Sequence, residues 1–65
     1  MNIQINGQQQ ASQAATLGAL IADLGLEKKS LVVEYNGAIV KQEAWDATRL
    51  SDGDTLELLN FVGGG

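Results

Sequence analysis

Two Asn-Gly dipeptides restrict the possible folds of this 65-residue chain more than any other feature. Asn6-Gly7 and Asn36-Gly37 favour the positive φ angles of type I′ turns, which join neighbouring antiparallel strands. Each dipeptide follows a run in which apolar and polar residues alternate, at residues 1–5 and 31–35, as in a strand with one buried face. The sequence therefore predicts two β-hairpins. Their returning strands are predicted at residues 8–13 and 38–41.

An amphipathic helix is predicted between the hairpins. Its apolar residues follow the i, i+3, i+4, i+7 spacing and are assigned to the core: Leu17, Leu20, Ile21 and Leu24. Thr16 is the predicted N-cap and Gly25 the predicted C-cap. Gly18, in the first turn, costs up to ~1 kcal/mol relative to alanine. Close packing of the helix on the sheet is an interpretation that accounts for this glycine.

The second half of the chain is predicted to form a compact turn, a tight turn and a last strand. Residues 42–47 form the compact turn or a single helical turn, in which Trp45 covers one end of the core. Asp52 and Asp54 flank Gly53 in the tight turn, and the turn accounts for both carboxylates. A metal site at these two residues lacks further ligands, so no metal is predicted.

The final strand, residues 55–62, departs from simple alternation. Leu56 and Leu58 define its inward face, and Leu59 and Phe61 then point outward. An exposed apolar patch of this kind is typical of a docking surface, although a bulge could instead place Phe61 under a loop. The predicted docking residues are Val32, Leu59, Phe61 and Val62.

Composition narrows the function. The chain contains no Cys and no His, so it has no thiol nucleophile and no side chain that normally titrates near neutral pH. An autonomous enzyme is not expected. Eight acidic against four basic residues disfavour nucleic acid and favour partners with a basic docking face. No apolar run reaches the ~18–20 residues of a membrane span and no signal stretch opens the chain, so a soluble, cytoplasmic protein is expected.

The three closing glycines carry the main functional signal. Gly63, Gly64 and Gly65 have no side chains, so they can form a thin filament that reaches roughly 10 Å into a narrow active site. An α-carboxylate on Gly65 is ionised at neutral pH and can attack the α-phosphate of ATP. The competing interpretation is a frayed tail or a linker. We expect a folded domain at residues 1–62 and a flexible tail at residues 63–65.

The order of elements predicts an α+β fold with a mixed sheet of four to five strands and one main helix across one face. Parallel pairing of the first and last strands would make the last strand central. This order, the turn at residues 52–54 and the Phe61–Gly65 ending resemble the ubiquitin-like β-grasp family. Within it the chain is similar to the ThiS family of bacterial sulfur carriers in thiamine biosynthesis, along its whole length. Residues 34–40 and Trp45 resemble what that family carries at the same points.

The resemblance implies a reaction cycle centred on Gly65. A ThiF-type adenylyltransferase would use ATP and magnesium to adenylate this residue, while the carrier itself binds no cofactor. Sulfur from a cysteine desulfurase would then replace AMP and leave a thiocarboxylate, which thiazole synthase would consume. Gly64 and Gly65 correspond to the family's glycine pair, and Gly63 is an addition seen in some members.

Two alternatives remain open at this point. The nearer one is a MoaD-like small subunit of molybdopterin synthase, which has the same fold and tail chemistry but another acceptor; conjugation to lysines, as in ubiquitin, is less favoured. The more distant one is an interaction module whose tail does no chemistry. The length of the chain and the Phe-Val-Gly-Gly-Gly ending favour the thiamine carrier.

Overall fold

The structure is a computed structural model, and it describes residues 1–60. Its strands are β1 (Asn2–Ile5), β2 (Gln8–Ala11), β3 (Leu31–Tyr35), β4 (Ala38–Val40) and β5 (Thr55–Asn60). One α-helix, α1 (Leu17–Leu24), follows β2, and a 3-10 helix (Gln42–Ala47) follows β4. The predicted tail at residues 63–65 lies outside the described residues, as do the last two residues predicted for β5.

All five strands form one mixed sheet in the order β2-β1-β5-β3-β4. β5 pairs parallel to β1 and antiparallel to β3, while each hairpin pairs its own two strands antiparallel. The predicted fold class and the central position of the last strand are therefore confirmed. The last strand described in the chain is held by one hairpin on each side.

Both hairpin turns have the predicted geometry. Asn6 and Gly7 have φ of 50° and 81°, and Asn36 and Gly37 have φ of 51° and 88°. These positive angles are the ones that the type I′ turn requires. The first returning strand is shorter than predicted, since β2 ends at Ala11.

The core lies between one face of the sheet and α1. It combines inward strand residues with the buried side of the helix: Ile3, Ile5, Ala14, Leu17, Leu20, Ile21, Leu31, Val33, Trp45, Leu50, Leu56 and Leu58. Trp45 closes one end, as predicted, and its indole N–H donates to the carbonyl of Val40 at 2.9 Å. Neither helix within residues 1–60 has the length and apolar character that a membrane crossing requires.

The helix ends are confirmed, but one of its core assignments is wrong. The Thr16 hydroxyl accepts from the N–H of Ala19, and Gly25 ends the helix at φ 68°. Leu24 is 38% exposed. The reason is the Schellman-type ending, in which the N–H of Leu26 bonds the carbonyl of Ile21. This bond folds the chain back so that Leu26, and not Leu24, packs against the core.

Gly18 packs closely against a different element from the one expected. A Cβ at this position would collide with the side chain of Asp46 and lie 3.3 Å from its Cα. Asp46 belongs to the 3-10 helix, so the close approach is between the two helices rather than between α1 and the sheet. Absence of a side chain at residue 18 lets the 3-10 helix, which also carries Trp45, pack directly against α1.

Candidate functional site

The outward face of the sheet carries the apolar patch that the sequence predicts. Leu59 is 48% exposed, whereas its neighbours Leu56 and Leu58 are buried on the inner face. Val32 lies directly opposite Leu59 in the β3–β5 pairing and is half-buried. The structure therefore brings these two predicted docking residues together. The other two, Phe61 and Val62, lie outside the described residues.

Three further residues lie on the same face and were not among the predicted docking residues. Ile39 on β4 is 68% exposed and pairs with Glu34, which in turn pairs with Glu57 on β5. Strand alternation places Glu34 and Glu57 on this face from the sequence alone, and the register of a two-residue Asn-Gly turn could have placed Ile39 there as well. We call the five residues Val32, Glu34, Ile39, Glu57 and Leu59 the outer face.

Charge on the outer face is negative. Glu34 and Glu57 stand directly opposite each other on adjacent antiparallel strands. Like charges in this position are unfavourable for an isolated sheet. Apolar side chains flank the two carboxylates, because Val32 and Leu59 form the next pair on the same face. The outer face is thus suited to a partner surface that combines basic and apolar groups.

The end of β5 is fixed to its neighbour before the chain reaches its last five residues. Asn60 pairs with Leu31 in the β3–β5 ladder, and the Ser30 hydroxyl donates to Asn60 Oδ1 at 2.7 Å. The predicted tail residues Gly63, Gly64 and Gly65 lie outside the described residues. The described part of the chain therefore ends on the central strand, one residue after the predicted docking residue Leu59.

At the other end of β5, the buried residue Asp54 is the centre of a partly buried hydrogen-bond cluster. The Tyr35 hydroxyl donates to Asp54 Oδ2 at 2.7 Å, and the Asn36 amide donates to Oδ1 at 3.1 Å. The backbone N–H of Ser51 donates to Oδ2 at 2.7 Å. The sequence assigns Asp54 only to a turn. Its partners at residues 35 and 36 are distant in sequence, so no local pattern indicates the cluster.

These contacts move two pKa values in opposite directions. The hydrogen bond to Asp54, followed by burial and the charge of Asp54, raises the pKa of Tyr35. Burial raises the pKa of Asp54, but hydrogen bonds from Ser51, Tyr35 and Asn36 together lower it more, so its pKa lies below the usual value. The cluster is therefore most stable with Asp54 ionised and Tyr35 protonated.

We expect Asp54→Ala to lower the free energy of unfolding by about 2 kcal/mol, because it removes the acceptor of three partly buried hydrogen bonds. Urea titration at pH 7 measures this. Asp52→Asn is the matched control: Asp52 Oδ1 accepts from the N–H of Asn2, and an asparagine keeps that acceptor. A similar loss in both variants would contradict the role given to the cluster.

The same cluster predicts a pH dependence. The folded pKa of Asp54 is lowered, so its contribution is complete above the unfolded value of about 3.9 and is lost as pH falls through the folded pKa. The raised pKa of Tyr35 means that its contribution is lost as pH rises above about 10. In the Asp54→Ala variant the unfolding midpoint should therefore depend less on pH at the acid end.

The described residues offer a surface and no cavity for a small ligand. Within residues 1–60 there is also no group of three or more His, Cys, Asp or Glu side chains that could hold a metal ion. Residues 1–60 therefore offer other molecules the outer face of the sheet and the end of β5, which the glycines follow in the sequence.

A five-stranded mixed sheet with one helix across its inner face and the last strand at its centre defines a ubiquitin-like β-grasp domain. The model of the ThiS family matches residues 2–65. The chain therefore belongs to the ThiS family. The match extends through the outer-face residues and all three closing glycines.

Similar proteins agree with this assignment. The sulfur carrier protein ThiS of Bacillus subtilis is 35% identical over 65 residues, which are 97% of this chain and 98% of that protein. The crystal structure of a thiamine biosynthesis protein (ThiS) from Geobacter metallireducens superposes with a TM-score of 0.83 at 36% identity, and the match covers 100% of both chains.

A third relative is much longer than this chain. A thiazole synthase of Paramagnetospirillum magneticum is 36% identical over 66 residues, which cover 100% of this chain but 20% of that protein. The chain thus spans about a fifth of that relative's length. That relative is named thiazole synthase and contains a segment similar to this whole chain.

Proposed function

We propose that this chain is a sulfur carrier of thiamine biosynthesis whose Gly65 carries the sulfur as a thiocarboxylate. The observation that carries the proposal is the family match through residue 65, together with the full-length similarity to the Bacillus subtilis sulfur carrier. The chain contains no Cys to hold a persulfide, so a main-chain carboxylate is the acceptor that its composition favours.

In this proposal, partner enzymes carry out the adenylation and the sulfur transfer. In a ThiF-type adenylyltransferase, a carboxylate oxygen of Gly65 attacks the α-phosphorus of ATP and magnesium pyrophosphate leaves. A sulfur nucleophile, supplied through a cysteine desulfurase, then attacks the acyl carbon and AMP leaves. When that nucleophile is the terminal sulfur of a persulfide, the product is an acyl disulfide. A thiol then attacks the donor's cysteine sulfur and leaves with it as a disulfide, and Gly65 keeps the other sulfur as a thiocarboxylate. The chain supplies no acid, base or metal ligand to these steps, so we propose a protein co-substrate rather than an enzyme, and we place it in the cytoplasm.

The attachment of the tail to β5 supports this role. Five residues follow Asn60, and a fully extended segment of that length spans at most roughly 17 Å. This length lets the body of the domain rest on the surface of an enzyme while Gly65 reaches a nucleotide inside it. The body must then dock with the end of β5 towards the active site.

We propose the outer face as the docking surface, together with Phe61 and Val62. Leu59 and Val32 supply apolar area beside the point from which the tail leaves. Glu34 and Glu57 favour a partner with basic side chains at the matching positions, since burying two carboxylates without counter-charges is costly. Apolar contacts would supply affinity, and the charges would set orientation.

Thiazole synthase is the acceptor that we propose for the sulfur. The Paramagnetospirillum magneticum relative supports this, because it joins a segment similar to this chain to a protein named thiazole synthase. The Geobacter metallireducens structure is named for thiamine biosynthesis and the Paramagnetospirillum magneticum relative for thiazole synthesis, which favours this pathway over that of the molybdenum cofactor.

Intact mass spectrometry tests the proposed function. The purified protein is first weighed to establish that Gly65 carries a free carboxylate, and it is then incubated with the activating enzyme, magnesium ATP and a sulfur donor. The mass should rise by the difference between one sulfur and one oxygen, and fragmentation should place the increase on Gly65. Added mass on any residue before Gly65, or no added mass with an enzyme that loads its own carrier, would contradict the proposal.

A further inference from the structure

The two Asn-Gly turns are held in the same way, although they lie on opposite sides of β5. The backbone N–H of Asn6 donates to the carbonyl of Leu56 at 2.9 Å, and that of Asn36 donates to the carbonyl of Thr55 at 2.8 Å. Each asparagine therefore continues the pairing of its own strand with β5. Its side-chain amide adds further hydrogen bonds to the same region.

On the β1 side, the amide of Asn6 binds both polar groups of one β5 residue. Asn6 Oδ1 accepts from the N–H of Leu58 at 2.7 Å, and Nδ2 donates to the carbonyl of Leu58 at 3.2 Å. On the β3 side, Asn36 Oδ1 accepts from the N–H of Thr55 at 2.8 Å, and Nδ2 donates to Asp54 Oδ1 at 3.1 Å. Both ends of each amide are thus occupied.

Asn-Gly is also the dipeptide in which asparagine deamidates most readily, because the glycine has no side chain to obstruct its own nitrogen. The backbone nitrogen of glycine bonds to Cγ of asparagine, the Cγ–Nδ2 bond breaks, and ammonia leaves with the proton from the glycine nitrogen. Water then opens the succinimide ring. The product is aspartate, or isoaspartate if the ring opens on the other side.

We propose that Asn6 and Asn36 are deamidation sites which contact with β5 protects in the folded chain, and that deamidation after unfolding lowers the stability of the refolded chain. The amide must leave both of its hydrogen bonds before Cγ can meet the glycine nitrogen. In the folded chain this requires local opening of a turn, whereas the unfolded chain needs no such step. The fraction of chains deamidated at residues 6 and 36 would therefore increase with the time that the chain spends unfolded.

The two sites differ in what the product does to the fold. At residue 36 a new carboxylate would replace the amide that donates to Asp54 Oδ1, so two carboxylates would face each other where a hydrogen bond now joins the two residues. At residue 6 the new carboxylate would still accept the hydrogen bond from the N–H of Leu58. It would have no proton to donate to the carbonyl of Leu58, so that hydrogen bond would be lost. Repulsion between two charges costs more than loss of one hydrogen bond, so damage at Asn36 should be the more severe.

Deamidation rates test the protection. The full chain is incubated at pH 8 and 37 °C, in buffer and in a urea concentration that unfolds it, and the asparagine peptides are weighed over time. Both Asn-Gly sites should react at least about tenfold more slowly in buffer than in urea. Asn2 and Asn60, which precede Ile and Phe, provide slow internal references. Equal rates in the two solutions at either site would overturn the proposal.

Variants that mimic the product test its consequence. Asn36→Asp should lower the unfolding midpoint at pH 7 by roughly 10 °C, and Asn6→Asp by about half as much. Asn60→Asp is the matched control on the same strand, since Asn60 Oδ1 accepts one hydrogen bond from Ser30 and a carboxylate keeps that acceptor. An Asn36→Asp variant as stable as the Asn60→Asp control would overturn the second half of the proposal.

Discussion

Leu58→Asp is expected to leave no folded protein at 25 °C, whereas Leu59→Asp, one residue further along β5, is expected to fold. Leu58 lies in the core, and an unpaired carboxylate there costs several kcal/mol. A domain of this size has about 3–5 kcal/mol of stability to lose. Leu59 is 48% exposed on the outer face, where substitutions usually change stability by about 0.5 kcal/mol or less. Far-UV circular dichroism and urea titration distinguish the two variants.

The folded Leu59→Asp variant should bind the activating enzyme at least about tenfold more weakly, since the apolar contact is lost and a third acidic group joins Glu34 and Glu57. Titration calorimetry measures this. Leu59→Ser is the control that removes the apolar side chain without adding charge, and its loss of affinity should be smaller. Full affinity in both Leu59 variants would remove the outer face from the docking surface, and equal unfolding of Leu58→Asp and Leu59→Asp would overturn the assignment of faces.

Most of the fold can be predicted from local sequence patterns, because the strands, the turns and the helix ends are each set by residues close together in the sequence. Alternation places Leu31–Tyr35 as a strand with the observed bounds, and two Asn-Gly turns fix the hairpins on either side of β5. Thr16 and Gly25 fix the ends of α1 through contacts within four residues. Even Leu59 can be assigned to the outward face, because the period of a strand is two and its buried neighbours set the phase.

The remaining features depend on contacts between distant residues. Leu24 satisfies the helical spacing but is exposed, because the chain reverses at Gly25 and Leu26 takes the contact with the core. Asp54 meets Tyr35 from 19 positions away, and Asn6 meets Leu58 from 52. A polar side chain in a turn is expected to face solvent, so a buried carboxylate at such a position has no sequence signal until the sheet order is known.

The candidate site also has one part that the local sequence predicts and another that depends on contacts between distant residues. Composition points to Gly65 because the chain has no Cys and no His, and strand alternation points to Leu59. The acidic part of the outer face requires the register of two strand pairs, since Glu34 and Glu57 are 23 residues apart and become neighbours only when β3 pairs with β5. The docking surface proposed on the sheet is therefore less visible in sequence than the modification site proposed at Gly65.

Gly64→Ala is expected to slow the loading of Gly65 by about a hundredfold, because a methyl group must enter a channel shaped for bare backbone and displaces the carboxylate from the nucleotide. The rate of pyrophosphate release with saturating ATP measures this. The free energy of unfolding should not change, since residue 64 follows β5 and has no side chain to bury. Deletion of residues 63–65 is the matched control for stability: it should abolish loading and leave the unfolding midpoint nearly unchanged.

An alanine added after Gly65 tests whether the position of the carboxylate matters, because it moves the carboxylate and leaves the three glycines unchanged. The extended chain keeps all three glycines, yet its carboxylate lies one residue, about 3.5 Å, beyond the place where Gly65 ends. Reacting atoms must approach to roughly 3–3.5 Å for displacement at phosphorus, so a shift of this size should abolish adenylation. Binding to the activating enzyme through the outer face should remain. Normal loading of the extended chain would show that the terminal carboxylate is not the acceptor, and the chain would then be better described as an interaction module whose tail does no chemistry.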